Sequence, residues 1–261
     1  LQCSLFDEFA QGHFNSIELL INLNSFGFIR EACHALGTTF DDTTLFADLV
    51  EYEPTRMDAS EKSISELNEI AGGDYWKPII VAYKKGEIDG YDAEALFAEK
   101  YCMRLRKSYK YVLNMPLRIK KGQRPKYRLI HATNHRDGCL LMVDNICNRW
   151  EALQEIQSGG QMQLWAENFD NQAVDEDDIE EKTILHFSQY NCLTSLHDAL
   201  AMFFMNYGPI CSTGYVKKIL KGLEEDKRLL VLRNPDYTSR GKKTAFMTEG
   251  KGQKISVRWI R

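Results

Sequence analysis

One helix near the end of the chain combines two chemically opposite sides. Its apolar members recur at i, i+3, i+4 and i+7, the spacing of a single helical stripe: Val216, Ile219, Leu220 and Leu223. Its cationic members fall on the other side: Lys217, Lys218 and Lys221. Such a helix packs one side against a protein core and can present the other to a polyanion.

The segment before this helix predicts a second helix at a tight turn. An apolar face recurs at helical spacing over Leu196, Ala199, Leu200, Phe203 and Tyr207. Gly208-Pro209 ends that helix, and Ser212 or Thr213 can cap the next one. Two helices joined in this way, the second with one cationic side, are typical of a helix-turn-helix.

Three β-rich runs follow the cationic helix and predict a wing. They cover 229–233, 244–247 and 254–260, and the last two are expected to form a hairpin through Glu249–Gly252. The wing tip is either 235–243 or 248–253. Basic residues in and beside these loops are candidates for phosphate contact: Arg240, Lys242, Lys243, Lys251 and Lys254. Together with Ser212, Thr213 and the three helix lysines, they form the predicted nucleic-acid-binding set.

Charge is distributed unevenly along the chain. The formal net charge is −4, but residues 208–261 hold 13 of the 33 Lys and Arg and 5 of the 37 Asp and Glu, a net of +8. The remainder therefore carries −12. A basic end on an acidic body favours a polyanionic partner, with duplex DNA preferred because no array of aromatic residues for base stacking is evident. Protein docking is the alternative use of such a module.

An acidic segment divides the chain in two. Residues 167–181 contain eight acids and no base, and Gly159-Gly160 precedes them, as expected of a linker. The sequence predicts an α/β domain over 1–157, a linker over 158–182 and a winged helix-turn-helix domain over 183–261. A cluster of ten Lys and Arg over 104–128 either extends the nucleic-acid surface or balances the acidic linker.

The first domain resembles the end of a doubly wound α/β sheet. Residues 17–24 are dense in branched side chains, as in a buried parallel strand, and the runs 109–118 and 126–133 flank a Gly/Pro loop, as in an antiparallel hairpin. Ligands of such sheets bind beyond the carboxyl ends of the strands, which makes Asn22, Asn24 and Ser25 candidates for a cofactor or substrate site. Helix capping by Asn24-Ser25 is the alternative.

Metal and nucleophile chemistry is weakly indicated. The seven cysteines include no C-x-x-C pair, so we expect reduced thiols in a cytoplasmic protein and no metal site. His131 and His135 lie four residues apart, a spacing that could chelate a metal on a helix. Here, however, the segment runs from a strand into a turn. Cys33 with His34, and Cys192 with His197, lack an evident orienting group for nucleophilic catalysis. No run of about 18 apolar residues indicates a membrane span.

Three stretches resemble one known family. They are IELLINLNSFGFIREACHAL (17–36), YRLIHATNHRDGCLLMVDNI (127–146) and FFMNYGPICSTGYVKKILKGLEEDKRLLVLRNP (203–235), and they are similar to the three-Cys-motif partner proteins. That resemblance implies the C-terminal part of a Rossmann-like class I methyltransferase-type domain, with the hairpin as its sixth and seventh strands, followed by a winged helix. It also implies a partner protein that carries the three-Cys motif.

The resemblance sets expectations for the cofactor as well. The family's glycine-rich DGFAG-like and DPFG-like segments, which would serve S-adenosylmethionine and the active site, are not found in this chain. We therefore expect a cofactor pocket upstream of Leu1, and no tight binding of S-adenosylmethionine by these residues. The favoured hypothesis is the nucleic-acid-binding part of a methyltransferase-like protein, with unassigned catalytic residues. The alternative is a non-catalytic DNA-binding or partner-docking regulator.

Overall fold

The computed structural model describes residues 2–12, 14, 16–40, 61–117, 127–157, 176–250 and 252–260. The chain forms two compact units, Leu1–Asn134 and His135–Arg261. The division lies earlier than the predicted end of the first domain at residue 157. Helix α6 (Arg136–Gln157) belongs to the second unit because it packs against the helix that begins at Leu196. Of the predicted linker, 158–175 lie outside the described residues and 176–182 are helical.

The described part of the first unit alternates helices with three strands. In chain order these are α1 (Cys3–Gln11), β1 (Glu18–Leu23), α2 (Ser25–Ala35), α3 (Glu61–Ala71), α4 (Trp76–Lys84), α5 (Gly90–Leu105), β2 (Tyr111–Leu117) and β3 (Tyr127–Thr133). The predicted hairpin is confirmed as β2 and β3, which pair antiparallel with Asn114 opposite Ile130. Pro116 lies in β2, an outer strand of the described sheet, where its missing N–H is tolerated.

The predicted parallel strand at 17–24 is wrong in its pairing. The strand order is β1-β3-β2, and β1 pairs antiparallel with β3, with Leu20 opposite His131. Leu19, Ile21 and Leu23 turn towards the helices, whereas Glu18, Leu20 and Asn22 are exposed. The run is therefore a strand with one packed side, and its branched residues are not all buried.

Aromatic packing holds the helices to this sheet. Phe28 of α2 stacks on Phe97 of α5 with ring centroids 4.0 Å apart, and it meets the buried Trp76 edge-on. Asp89 begins α5 with a capping box, since its side chain accepts from the Asp92 N–H and the Asp92 side chain accepts in return. These contacts make a core between the sheet and α2, α4 and α5.

The second unit contains helices and a small antiparallel sheet. Its elements after α6 are α7 (Glu176–Phe187), β4 (Thr194–Ser195), α8 (Leu196–Tyr207), α9 (Thr213–Glu225), β5 (Leu229–Asn234) and β6 (Lys254–Trp259). The strand order is β4-β6-β5. The inward and outward alternation predicted for the last strand is confirmed, with Ile255 and Val257 buried and Lys254 and Arg258 exposed.

The predicted strand at 244–247 is not formed. β5 pairs with β6 directly, so residues 235–253 make one connection, called the β5–β6 loop below. The Phe246 carbonyl accepts a 2.8 Å hydrogen bond from Arg233 Nε, and the Thr244 hydroxyl donates to backbone carbonyls of the same loop. Backbone groups that a strand would use for pairing are thus held by side chains. Both predicted wing-tip segments belong to this single loop.

The two helices at the tight turn end as the sequence predicts. Ser195 and Ser212 cap the N-termini of α8 and α9, and α8 ends at Gly208, whose φ of 75° suits glycine. Leu196, Ala199, Leu200 and Phe203 of α8 are buried. Within the described part of the chain, no helix combines the length and apolar character that crossing a membrane requires.

Candidate nucleic-acid interface

Helix α9 presents two sides of opposite character. Val216, Leu220 and Leu223 are buried and Ile219 is half-buried, which confirms the apolar stripe. Lys218 and Lys221 are exposed on the other side. Lys221 Nζ lies 4.0 Å from Glu225 Oε1, but both side chains are well exposed, so this ion pair is weak and screened by salt. The cationic side of α9 is thus open to solvent at these two lysines.

Lys217 differs from its neighbours on the helix. It is half-buried, and desolvation lowers the pKa of its ammonium group, partly offset by the nearby carboxylates of Asp144 and Glu249. It therefore lies at the edge between the apolar stripe and the exposed side. The sequence grouped the three lysines together, and the structure separates Lys217 from the other two.

Ser212 and Thr213 are both engaged in hydrogen bonds that build the helix. The Ser212 hydroxyl accepts from the Tyr215 N–H at 3.3 Å as the N-cap of α9. Thr213 is buried, and its N–H and hydroxyl both donate to Asp144 of α6, each at 2.8 Å. Asp144 thus fixes the start of α9 against α6. Both residues thus help to position the helix.

The β5–β6 loop carries the second set of basic candidates. Arg240, Lys242 and Lys243 are exposed around a turn closed by hydrogen bonds between Thr238 and Lys242. Lys254, at the start of β6, is also exposed. Lys251 lies outside the described residues.

Glu249 anchors the far end of this loop. Its carboxylate accepts from Arg136 of α6 at 3.3 Å, from the Ser195 hydroxyl at 3.3 Å and from the His197 N–H at 3.4 Å. The Glu249 side chain is only 7% exposed. Arg136 also donates to Asp198 at 2.8 Å. Sequence reasoning missed this anchor because its members lie more than 50 positions apart.

His197 is part of the same anchor. Its Nε2 accepts from the Glu249 N–H at 3.3 Å, so the proton resides on Nδ1, which donates to Asp137 at 2.7 Å. Both ring nitrogens are thus engaged within the unit. Its partners are Asp137 and Glu249 rather than Cys192, so the geometry gives no support to a Cys192–His197 nucleophile.

A second contact holds the N-terminal end of the β5–β6 loop, next to β5. Arg233 of β5 forms a bidentate pair with Glu224 of α9, with both N–O distances 2.6 Å. The Arg233 side chain is 6% exposed, so this pair is well shielded from solvent. The loop is therefore tied to α9 at one end and to α6 and α8 at the other.

A recess lies between α6, the start of α9 and the far end of the loop. Its volume is about 490 Å³, and we call it the α6 recess. Leu140, which is buried, and Leu141, which is exposed, lie on the α6 wall, and Gly250 and Gly252 contribute open backbone on another. Its charged and polar lining includes Arg136, Asp137, Asp144, His197, Lys217, Glu249 and Lys254. The fold thus brings Lys217 and Lys254 to the same cavity.

The candidate cofactor residues of the first unit form local structure. Asn24 is the N-cap of α2 and accepts from the Gly27 N–H at 2.9 Å, as in the capping alternative. Ser25 is buried and donates to Glu94, which also forms a bidentate pair with Arg128 at 2.6 and 2.7 Å. Asn22 is exposed on β1. Asn24 and Ser25 thus both make hydrogen bonds within the first unit.

Metal chemistry has no cluster to support it in the ranges that the structure covers. Among those residues, no group of three or more His, Cys, Asp or Glu could hold a metal ion. His131 is buried in the middle of β3, whereas His135 is an exposed residue at the start of the second unit. Comparisons with protein-family models, with curated proteins and with solved structures found no match to this chain.

Proposed function

We propose that the second unit is a winged helix-turn-helix module that binds duplex nucleic acid, with α9 in the major groove and the β5–β6 loop as the wing. The order of helix, short strand, two helices and antiparallel strand pair supports this interpretation. One observation carries it: α9 buries its apolar stripe and leaves Lys218 and Lys221 exposed, in a unit whose loop exposes Arg240, Lys242 and Lys243. Cations at such positions contact phosphates and release condensed counterions.

The anchors of the loop support the same proposal. A loop that contacts a nucleic-acid backbone loses less conformational entropy on binding if it is already ordered. The Arg233–Glu224 pair and the Glu249 anchor hold the two ends of the loop, and the basic residues Arg240, Lys242 and Lys243 lie between them. The module would therefore meet the duplex with its wing positioned.

The methyltransferase expectation remains a proposal about the wider protein. The resemblance to three-Cys-motif partner proteins implies S-adenosylmethionine and a partner that carries the motif. For this chain we propose that the second unit presents nucleic acid and that chemistry, where it occurs, uses groups other than Asn22, Asn24 and Ser25. Docking of a protein on α9 is the competing outcome of the test below.

The test compares two double variants of the full chain in binding a fluorescent 20-base-pair duplex. Lys218→Ala/Lys221→Ala should weaken binding and lower the salt slope by about 1 per lysine. Alanine keeps the helix intact, and the replaced side chains are exposed. The matched control is Lys84→Ala/Lys100→Ala, two exposed helical lysines of the first unit. Equal affinities for both variants would reject α9 as the reading helix.

A further inference from the structure

The α6 recess is lined by two lysines whose ammonium groups form no direct ion pair with the residues that the structure describes. Among the described residues, neither Lys217 nor Lys254 forms a side-chain salt bridge or hydrogen bond. The recess is also lined by three carboxylates and by Arg136. Its three cationic and three anionic side chains therefore balance in formal charge. The carboxylates differ from the two lysines in having direct partners within the unit.

Each carboxylate of the recess is already engaged within the unit. Glu249 accepts from Arg136 and Ser195, Asp144 accepts twice from Thr213, and Asp137 accepts from His197. Hydrogen bonds of this kind stabilise the charged carboxylate and hold it in place. The two lysines are therefore the charged recess groups without a direct partner in the described parts of the chain, and an anion is the ligand that suits them.

We propose that the α6 recess holds one phosphate of the bound duplex backbone, between the ammonium groups of Lys217 and Lys254. This inference rests on the proposed function and adds a specific subsite to it. Lys217 belongs to α9 and Lys254 to the end of the β5–β6 loop, so the phosphate would bridge the groove-entering helix and the wing.

The shape of the recess is compatible with this ligand. Its volume of about 490 Å³ exceeds what one phosphate needs and leaves room for the adjoining sugar. Gly250 and Gly252 face open space where a Cβ would stand, so a backbone can approach this wall closely. Lys217 loses solvation in the folded chain without gaining a direct ion pair, and a phosphate would supply one.

The experiment measures duplex affinity of the full chain between 50 and 200 mM salt. Both lysines contact the same phosphate, so the double variant Lys217→Gln/Lys254→Gln should have a salt slope smaller in magnitude by about 0.9. Over this fourfold range of salt concentration, its affinity should therefore fall about 3.5-fold less than that of the wild type. Each single variant should lose most of the same amount, since the two contributions overlap. Lys84→Gln/Lys100→Gln is the matched control.

A second arm identifies the phosphate. Single neutral methylphosphonates are placed at successive positions of the duplex. One position should weaken binding of the wild type and have little effect on the Lys217→Gln/Lys254→Gln variant, because the interaction is already lost there. Penalties that are the same in both proteins at every position would overturn the inference.

The remaining outcomes separate this inference from the proposed function. If Lys218→Ala/Lys221→Ala lowers the salt slope and Lys217→Gln/Lys254→Gln does not, the duplex is bound and the recess is not its subsite. If no duplex is bound, both proposals fail. Inorganic phosphate could instead shift the NMR amide signals of Gly252 and Lys254 while the Lys217→Gln/Lys254→Gln variant binds duplex with the same affinity and salt slope as the wild type. The recess would then be a site for free phosphate, and the inference would again be wrong.

Discussion

Asp144 of α6 receives two hydrogen bonds from Thr213, the first residue of α9, with both distances 2.8 Å. Thr213 is 5% exposed, so this contact is buried. It explains how α9 starts at a defined position although the turn before it is short. It also gives Thr213, which the sequence suggested for nucleic-acid contact, a role in positioning the helix.

Replacing Thr213 should therefore affect folding more than binding. Thr213→Val removes one hydrogen bond to a charged acceptor, and we expect a loss of about 1.5–3 kcal/mol in the free energy of unfolding. Thr213→Ser keeps the hydroxyl and should recover most of that loss. Urea denaturation of the full chain measures both. Equal stability of Thr213→Val and the wild type would contradict the assigned role.

Glu249 should control the order of the β5–β6 loop. Glu249→Ala removes the acceptor of Arg136, Ser195 and the His197 N–H. We expect faster amide hydrogen exchange over residues 244–250 and weaker duplex binding, because the wing must then be ordered on binding. Glu225→Ala, an exposed glutamate of α9, is the control. Unchanged exchange in the loop would show that the anchor does not hold it.

The charge of Lys217 should destabilise the folded chain although it contributes to duplex binding. Desolvation lowers the pKa of Lys217 from the usual value of 10.5. Below the folded-state pKa the ammonium group is charged in both states, and its desolvation destabilises the folded chain in full. Stability then rises as pH increases from the folded-state pKa towards 10.5, because the folded chain loses this proton first. Lys217→Met removes the buried charge and keeps the apolar stem. It should raise Tm by a few degrees at neutral pH and weaken duplex binding. A lower Tm would contradict the desolvation argument.

Two buried histidines should make the chain sensitive to mild acid. Desolvation lowers the pKa of His131, against the opposing effect of Glu18 at 3.7 Å, and it also lowers the pKa of His186 beside the Ala199 carbonyl. Their contribution to stability is full above pH 6.5 and is lost as pH falls through the folded-state pKa values. His131→Leu should flatten the fall in Tm between pH 7 and pH 5. The same slope in variant and wild type would show that His131 does not titrate there.

The sequence predicted the local elements of the second unit well because their signals are local. Amphipathic spacing and capping residues lie within one helix, as in α9, and alternation lies within one strand, as in β6. The strand predicted at 244–247 failed because Arg233 binds the Phe246 carbonyl, a contact across 13 positions that no local pattern reveals.

Long-range pairing explains the other differences. Antiparallel pairing of β1 with β3 joins residues more than 100 positions apart, and a run of branched residues fits either direction of pairing. The compact units divide before the predicted boundary because α6 packs against α8, which leaves no compositional mark, whereas the acidic composition of 167–181 is conspicuous. The α6 recess draws on four separate parts of the chain, so of its lining only Thr213, Lys217 and Lys254 were proposed from sequence as contacts to nucleic acid.

The central claim is that the second unit binds a nucleic-acid backbone through exposed cations. It is tested most directly by the affinity of the full chain for a duplex as a function of salt concentration. We predict a linear fall of log K with log salt, with a slope of about −0.9 for every phosphate contacted and a magnitude of at least about 3 from the α9, recess and loop lysines together. An affinity that does not change with salt, or no binding at 50 mM salt, would contradict it.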